Sequence, residues 1–213
     1  MKNYQRAFIE FAISQNALLF GEFTLKSGRN SPYFFNMGCF KTGAAIRKIG
    51  QFYAEAILAH SLNYDVLFGP AYKGIPLVTA TAIALAEKDL DKPYTFNRKE
   101  PKDHGEGGTL VGAQLTGKIL MVDDVISAGT TVKEVIPLVQ QQGAQLSHIV
   151  IALDRQERGL GHNGAIKEIE QTYDVAVTAI IQLVDIIEYL KEHHQDDYLN
   201  KMLAYREAYG EII

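Results

Sequence analysis

Five short apolar runs, at residues 65–68, 94–96, 119–122, 148–153 and 175–181, are separated by helical stretches or loops. Most of these runs lack the polar–apolar alternation of a half-exposed strand, which is the mark of strands covered on both faces. Strands of that kind, interleaved with helices, make βαβ units. The pattern predicts an α/β fold with an open, mainly parallel sheet flanked by helices. A chain of 213 residues without internal repeat or low-complexity linker is read as one domain with an N-terminal extension.

Ahead of the first run, Tyr4, Phe8, Phe11 and Ala12 share one face of an expected helix over 3–17. Two short β-like runs follow, 20–25 and 33–36, joined by the turn-rich segment 27–32. Thr42 suits the cap of a helix lined by Ile46, Ile49, Phe52, Tyr53 and Ile57. A helix is expected over 130–142 although it contains Pro137, which should cost about 3 kcal/mol or kink the chain. Residues 184–209 read as helices, the last capped by Asp196 and ended by Gly210. Residues 99–109 carry no apolar periodicity, and a loop of that length points to a lid or to disorder.

Hydrophobic residues make up 47% and charged residues 22%, a globular balance that argues against disorder. With 21 basic against 25 acidic side chains the formal charge is −4. That does not suit a protein that coats a duplex, so no nucleic-acid partner is expected. Cys39 is the single cysteine, which allows no intrachain disulfide and no all-cysteine zinc site. It reads as a small buried hydrophobe. His60, His148, His162, His193 and His194 show no metal-ligand spacing. No apolar run approaches the roughly 20 residues of a membrane-spanning helix. Glu10 inside the first apolar stretch argues against a secretory leader. A reducing, cytoplasmic setting without membrane attachment is the expectation.

Two glycine patterns carry less than their letters suggest. Gly112-Ala-Gln-Leu-Thr-Gly117-Lys118-Ile119 falls one residue short of a P-loop and leads into a strand rather than a helix. Gly159-Leu-Gly161-His-Asn-Gly164 matches the dinucleotide pattern, yet Arg155 to Arg158 separate it from the strand that should precede it.

The chemistry concentrates after the run 119–122. Asp123 and Asp124 stand at its carboxyl end, where open α/β sheets bind ligands. Two adjacent carboxylates repel one another unless they face hydroxyl donors or a cation. Ser127, Gly129, Thr130 and Thr131 then offer hydroxyls and backbone N–H groups at the start of a helix, which suits a phosphate monoester. A diol held by the acids and a phosphate held by the loop describe a sugar phosphate; the alternative is a strand end capped by Asp and Thr. A bulky residue at 129 is expected to block the phosphate while leaving the fold intact.

Val122-Asp-Asp-Val-Ile-Ser-Ala-Gly-Thr130 resembles the phosphoribosyl diphosphate (PRPP) motif of the type I phosphoribosyltransferases. Six further segments are similar to the orotate phosphoribosyltransferase family and follow its order: Phe23-Thr-Leu-Lys-Ser-Gly-Arg29, Ser31-Pro-Tyr-Phe-Phe-Asn36, Phe68-Gly-Pro-Ala-Tyr-Lys-Gly-Ile-Pro76, Phe96-Asn-Arg-Lys-Glu100, Lys102-Asp-His-Gly-Glu-Gly107 and Leu153-Asp-Arg-Gln-Glu-Arg158. Ser127 stands where many members have threonine and keeps the hydroxyl.

The resemblance implies the type I phosphoribosyltransferase fold over 1–213, with residues 1–40 as a hood contributing to the base site and 99–109 as a flexible catalytic loop. It implies transfer of ribose 5-phosphate from PRPP to orotate, giving orotidine 5′-phosphate and pyrophosphate in de novo pyrimidine (UMP) synthesis. Asp123 and Asp124 would hold the ribose hydroxyls. Val125, Ile126, Ser127, Ala128, Gly129, Thr130 and Thr131 would hold the 5-phosphate. Tyr72 and Lys73 would meet the pyrophosphate, with Arg98, Lys99, Lys102 and His104 completing the charge around it. Lys99, Lys102 and His104 would join the two aspartates in catalysis. Lys26, Phe34, Phe35, Ser127 and Arg155 would form the orotate site, Lys26 reaching PRPP as well. Mg2+ would be held mainly by PRPP and pyrophosphate oxygens. A homodimer is implied, the loop of one subunit reaching the site of the other.

Each residue type also has a plainer reading. Phe34 and Phe35 fit a strand core, Lys26 and Lys73 fit solvated turns, and His104 fits a surface loop. Arg155 has Asp154 and Glu157 within reach as partners. A phosphoribosyltransferase for a purine or uracil would share the two aspartates but would not need the block 23–36. A PRPP-sensing regulator would carry a basic DNA-binding module, for which the first 22 residues are too few and too weakly basic. A fused decarboxylase barrel would need about 250 further residues.

Overall fold

The computed structural model describes residues 1–25, 27–102, 108–126, 129–158 and 164–211, apart from the side chains of Pro101 and Lys102. Helix α1 (Asn3–Ser14) leads into the antiparallel pair β1 (Leu18–Thr24) and β2 (Asn30–Phe35), a short 3-10 turn and α2 (Gly43–Ala59). Then come β3 (Val66–Gly69), α3 (Gly74–Ala86), β4 (Tyr94–Lys102), β5 (Gly108–Gly112), β6 (Lys118–Val122), α4 (Thr130–Gln141), β7 (Gln145–Asp154), α5 (Ala165–Tyr173) and β8 (Ala176–Gln182). The helices α6 (Leu183–Glu192) and α7 (Asp196–Tyr209) follow.

The main sheet runs β5-β4-β3-β6-β7-β8, and every pairing is parallel except β4 with β5. Its strands face two cores because side chains alternate across a pleat. Leu67, Leu120, Val122, Val150 and Ala152 enter one core, shared with α1, α2, α3, α6 and α7. Val66, Phe68, Ile119, Met121, Ile149 and Ile151 enter the other, shared with α4 and α5. Burial on both sides is why these strands read as unbroken apolar runs. From β3 the chain crosses to β4 on one side, whereas β6, β7 and β8 step away on the other. The carboxyl ends of β3 and β6 therefore flank a switch point, the crevice where such sheets bind ligands.

The N-terminal segment is stitched into the first core by Phe8, Ile9, Ala12, Leu18 and Tyr33. Helix α1 stops three residues short of the expected end, and Ala17 and Leu18 are already buried where β1 begins. Thr42 caps α2 as expected, its Oγ1 accepting from the Ala45 N–H. Helix α4 passes through Pro137, which is exposed, so the carbonyl that loses its partner can meet water. Asp196 is not the cap of α7 but its first residue; Gln195 holds the cap position without a side-chain bond. Cys39 is half-buried against the first core.

The segment 99–109 differs most from its reading as an irregular loop. Lys99 to Lys102 close β4 and Gly108 and Thr109 open β5, with Lys102 paired to Gly108. Strand order there comes from backbone pairing beyond the packed sheet, where Lys99 and Glu100 are exposed, so no apolar periodicity announces it. Residues 103–107 lie outside the described residues, as do 159–163 of the second glycine pattern. Gly117 of the first pattern sits in the turn before β6, as expected for a loop leading into a strand.

Candidate active site

The first wall of the crevice is the turn from β3 into α3. Gly69 and Gly74 pass so close that a Cβ on Gly69 would strike the Gly74 carbonyl and one on Gly74 would strike the Pro70 ring. The tight return leaves Ala71, Tyr72 and Lys73 as a small projecting loop. Asn97 of β4 braces it, its Oδ1 accepting from the Ala71 N–H at 2.8 Å. Tyr72 is 71% exposed, and Lys73 extends across the crevice to place Nζ 2.6 Å from Oδ2 of Asp124.

The second wall is the end of β6. Backbone bonds from Asp123 N–H to Val150 and from Ala152 N–H to Asp124 strap both aspartates to β7. Buried Tyr53 donates to the Asp123 carbonyl at 2.7 Å. Asp123 Oδ1 accepts from the Asp124 N–H at 2.9 Å, and Asp124 Oδ1 accepts from the Val125 N–H at 2.8 Å. Burial, reinforced by the neighbouring Asp124 charge, pushes the Asp123 carboxyl up to about 7. A carboxyl so poised gains from any hydroxyl donor that reaches it.

Beyond the aspartates, Val125 packs toward the first core and Ile126 toward the second, which splits the loop between the two faces of the sheet. Gly129, with φ +68°, turns the chain into α4, so Thr130 and Thr131 lie in its first turn. A Cβ at Gly129 would come within 2.8 Å of the buried Ile169 side chain. The expectation that a bulky residue leaves the fold intact there is therefore wrong: both the left-handed backbone and the α5 packing oppose it.

At the end of β7, Arg155 pairs with Glu157, not Asp154. Its Nε lies 2.7 Å from Glu157 Oε1, its Nη2 donates to Ser31 Oγ at 3.1 Å, and its guanidinium carbon sits 4.2 Å from the Tyr33 ring centre. On β2 successive side chains face opposite ways. Phe34 is 38% exposed and stacked on Phe23, whereas Phe35 packs toward Phe8 and the first core. Arg98 donates to the Gly108 carbonyl at 3.5 Å, across the arms of the β4–β5 hairpin. The Lys99 side chain, exposed on the same arm, makes no hydrogen bond or ion pair with another described residue. Lys26, His104, Ser127 and Ala128 lie outside the described residues, as does the Lys102 side chain. Grooves of about 500 Å³ between α1 and α2 and about 330 Å³ between α2 and α3 are lined by none of these residues.

Residues 40–181 match the family described as the phosphoribosyl transferase domain. Over 212 residues the chain is 58% identical to an orotate phosphoribosyltransferase of Klebsiella pneumoniae (strain 342), covering 99% of this chain and 100% of the relative. This chain belongs to the orotate phosphoribosyltransferase family. A member from Escherichia coli (strain K12 / DH10B) is 57% identical over the same share of both chains. The crystal structure of the Francisella tularensis orotate phosphoribosyltransferase superposes with a TM-score of 0.89 at 43% identity, covering 96% of this chain and 100% of the other. The Mycobacterium tuberculosis H37Rv orotate phosphoribosyltransferase in complex with PRPP shares the fold, with a TM-score of 0.63 at 21% identity over 85% of this chain and 98% of that one.

Within this phosphoribosyltransferase fold, sequence reasoning missed the braces. Asn97 lies 26 residues from the loop it steadies, and Tyr53 lies 70 from Asp123. Neither separation has a local signature. Glu157 was visible as a neighbour of Arg155, but Ser31 and Tyr205, which also reach the guanidinium, were not.

Proposed function

We propose that this phosphoribosyltransferase transfers the ribose 5-phosphate unit of PRPP to orotate, forming orotidine 5′-phosphate and pyrophosphate in the de novo route to UMP. The observation that carries the reading is the Lys73–Asp124 contact across the switch point. It joins a cation on the loop after β3 to an acid on the loop after β6, so one substrate spanning the crevice meets both.

In the reaction a ring nitrogen of orotate bonds to the anomeric carbon while the bond from that carbon to pyrophosphate breaks, and the proton of that nitrogen leaves with the pyrophosphate. Positive charge develops on the sugar and negative charge on the leaving group. Asp123 and Asp124 accept hydrogen bonds from the ribose hydroxyls. The α4 N-terminus, with Val125, Ile126, Gly129, Thr130 and Thr131, and with Ser127 and Ala128 between them, receives the 5-phosphate. Tyr72, Lys73 and Arg98 surround the leaving pyrophosphate, joined by Lys99, Lys102 and His104. Arg155 and Lys26 take the orotate carboxylate beside Phe34, Phe35 and Ser127.

Among the described residues no group of three or more His, Cys, Asp or Glu side chains is placed to hold a metal ion. Two adjacent carboxylates suit a magnesium ion that keeps substrate oxygens and water as most of its ligands. Such an ion would neutralise charge on the departing pyrophosphate. The partner proposed for the chain is a second copy of itself. Lys99, a cation without a partner among the described residues of its own chain, supports a role in the neighbour's site. A cytoplasmic setting is proposed as well; among the described residues no helix is long and apolar enough to cross a membrane.

Pyrophosphate release with PRPP and magnesium tests the reading. Orotate should be turned over and uracil, adenine and hypoxanthine should not; equal turnover of uracil and orotate would overturn it.

A further inference from the structure

Arg155 is the only charged group that the proposed function gives to the base carboxylate from the described residues, and how it is held carries a further inference. We infer that Glu157 and Tyr205 are positioning residues that aim the Arg155 guanidinium at that carboxylate and thereby select a base that bears one. The inference rests on the assignment of Arg155 to orotate.

Three distant parts of the chain converge on this side chain. Its flat face lies against Tyr33 of β2. Its Nε donates to Glu157 Oε1 at 2.7 Å, and its Nη2 donates to Ser31 Oγ at 3.1 Å and to Tyr205 Oη at 3.4 Å. Tyr205, 5% exposed on α7, in turn donates to the same Glu157 Oε1 at 2.8 Å. A guanidinium carries five N–H donors in a fixed fork. Here one face and two of its three nitrogens are spoken for, and Nη1 has no hydrogen bond to a described residue. That edge is left for a ligand.

The charges point the same way. Glu157 Oε2 also receives Arg29 Nη1 at 3.3 Å, so two guanidiniums share one carboxylate and one positive charge is left over. Both arginine side chains are at least three-quarters buried, at 25% and 19% exposure. Burial lowers the Arg155 pKa, but Tyr33, Glu157 and Tyr205 outweigh it and hold the guanidinium charged, so the surplus persists as a fixed positive edge for an anion. A single carboxylate balances it; a base without one leaves it unbalanced. Discrimination against uracil then comes from the cluster as a unit, and a clasp that served only to dock α7 would not require the Tyr205 hydroxyl to bond both the guanidinium and its counterion.

The test is a double-mutant cycle with Tyr205→Phe, which removes one oxygen and keeps the ring. Alone, it should raise the orotate KM roughly tenfold, the loss of about one hydrogen bond to a charged pair, while the PRPP KM and kcat stay within about twofold. In the Arg155→Ala background it should cause no further rise, because the residue acts through Arg155. Glu157→Asp, which keeps the charge and withdraws the oxygens from Nε and Tyr205, should behave in the same way and serves if the phenylalanine variant fails to fold. An unchanged orotate KM in both variants, or a full additional loss on top of Arg155→Ala, overturns the positioning role. If Arg155→Ala itself leaves the orotate KM unchanged, the assignment of Arg155 is wrong and this inference falls with it.

Discussion

Asp123 should make the free protein less stable at neutral pH than it would be without a carboxylate there. Its carboxyl is pushed from the ordinary 3.8 up to about 7, first by burial and then by Asp124. That gap corresponds to about 4 kcal/mol at 1.36 kcal/mol per pH unit. Below pH 3.8 both the native and unfolded states hold the proton, so nothing is lost. Between 3.8 and about 7 the unfolded state has released its proton while the native state keeps it, so stability falls as pH rises. Above about 7 the full penalty applies. Asp123→Asn removes the charge and keeps an oxygen to accept from the Asp124 N–H. The variant should melt roughly 8–16 °C above the native protein at pH 8, at about 2–4 °C per kcal/mol for a chain of this size. The gain should shrink to little more than a third at pH 5 and vanish near pH 3.5. Thermal melts of both proteins across that range, without substrate, read the difference directly. A gain independent of pH, or a variant that melts lower at pH 8, would refute the idea that an under-compensated carboxylate sits in the crevice.

Lys73→Ala should raise the PRPP KM at least tenfold by removing the cation beside Asp124. Because the Lys73 side chain is 60% exposed, the melting temperature should hardly move. Mixing the inactive variants Lys99→Ala and Asp124→Asn and letting subunits exchange should restore roughly a quarter of native activity if Lys99 serves the neighbouring site, since half the dimers would be hybrids with one intact site. Recovery of nothing, once mass measurements confirm exchange, would leave Lys99 acting within its own chain.

The parallel strands were legible because burial on both faces writes itself as uninterrupted apolar residues, as in Ile119 to Val122 and Ile149 to Leu153. Strand β5 was not, being an edge strand of Gly-Thr-Leu-Val-Gly whose order comes from pairing with β4. The acids and the glycine- and hydroxyl-bearing segment after them were legible as a local cluster at a strand end. Their electrostatics were not, because Lys73 reaches Asp124 from 51 residues away. The helix cap of α7 was misplaced by one residue, since Asp at the first helical position has the same dipole advantage as at the cap. Arg155 shows the deepest limit. Its immediate counterion was readable two positions on, but the aromatic face and the hydroxyl that orient it come from β2 and α7, and only the folded core brings those together.

The distribution of cations in this fold also bears on how fast a substrate arrives. Lys73, Arg98, Lys99 and Arg155 all emerge at the carboxyl end of the parallel strands, in a chain whose formal charge is −4. The same strand ends carry Glu100, Asp123, Asp124, Asp154 and Glu157, so the charges nearly cancel at a distance and separate only close to the crevice. Steering of a small polyanion is therefore short-ranged, coming from the exposed Lys73 and Lys99, which reach past the buried Asp123 and Asp124. Such steering acts over about a Debye length, near 10 Å at 0.1 M ionic strength. It would be the first property of the site to fade in high salt, before any bond within the crevice is disturbed.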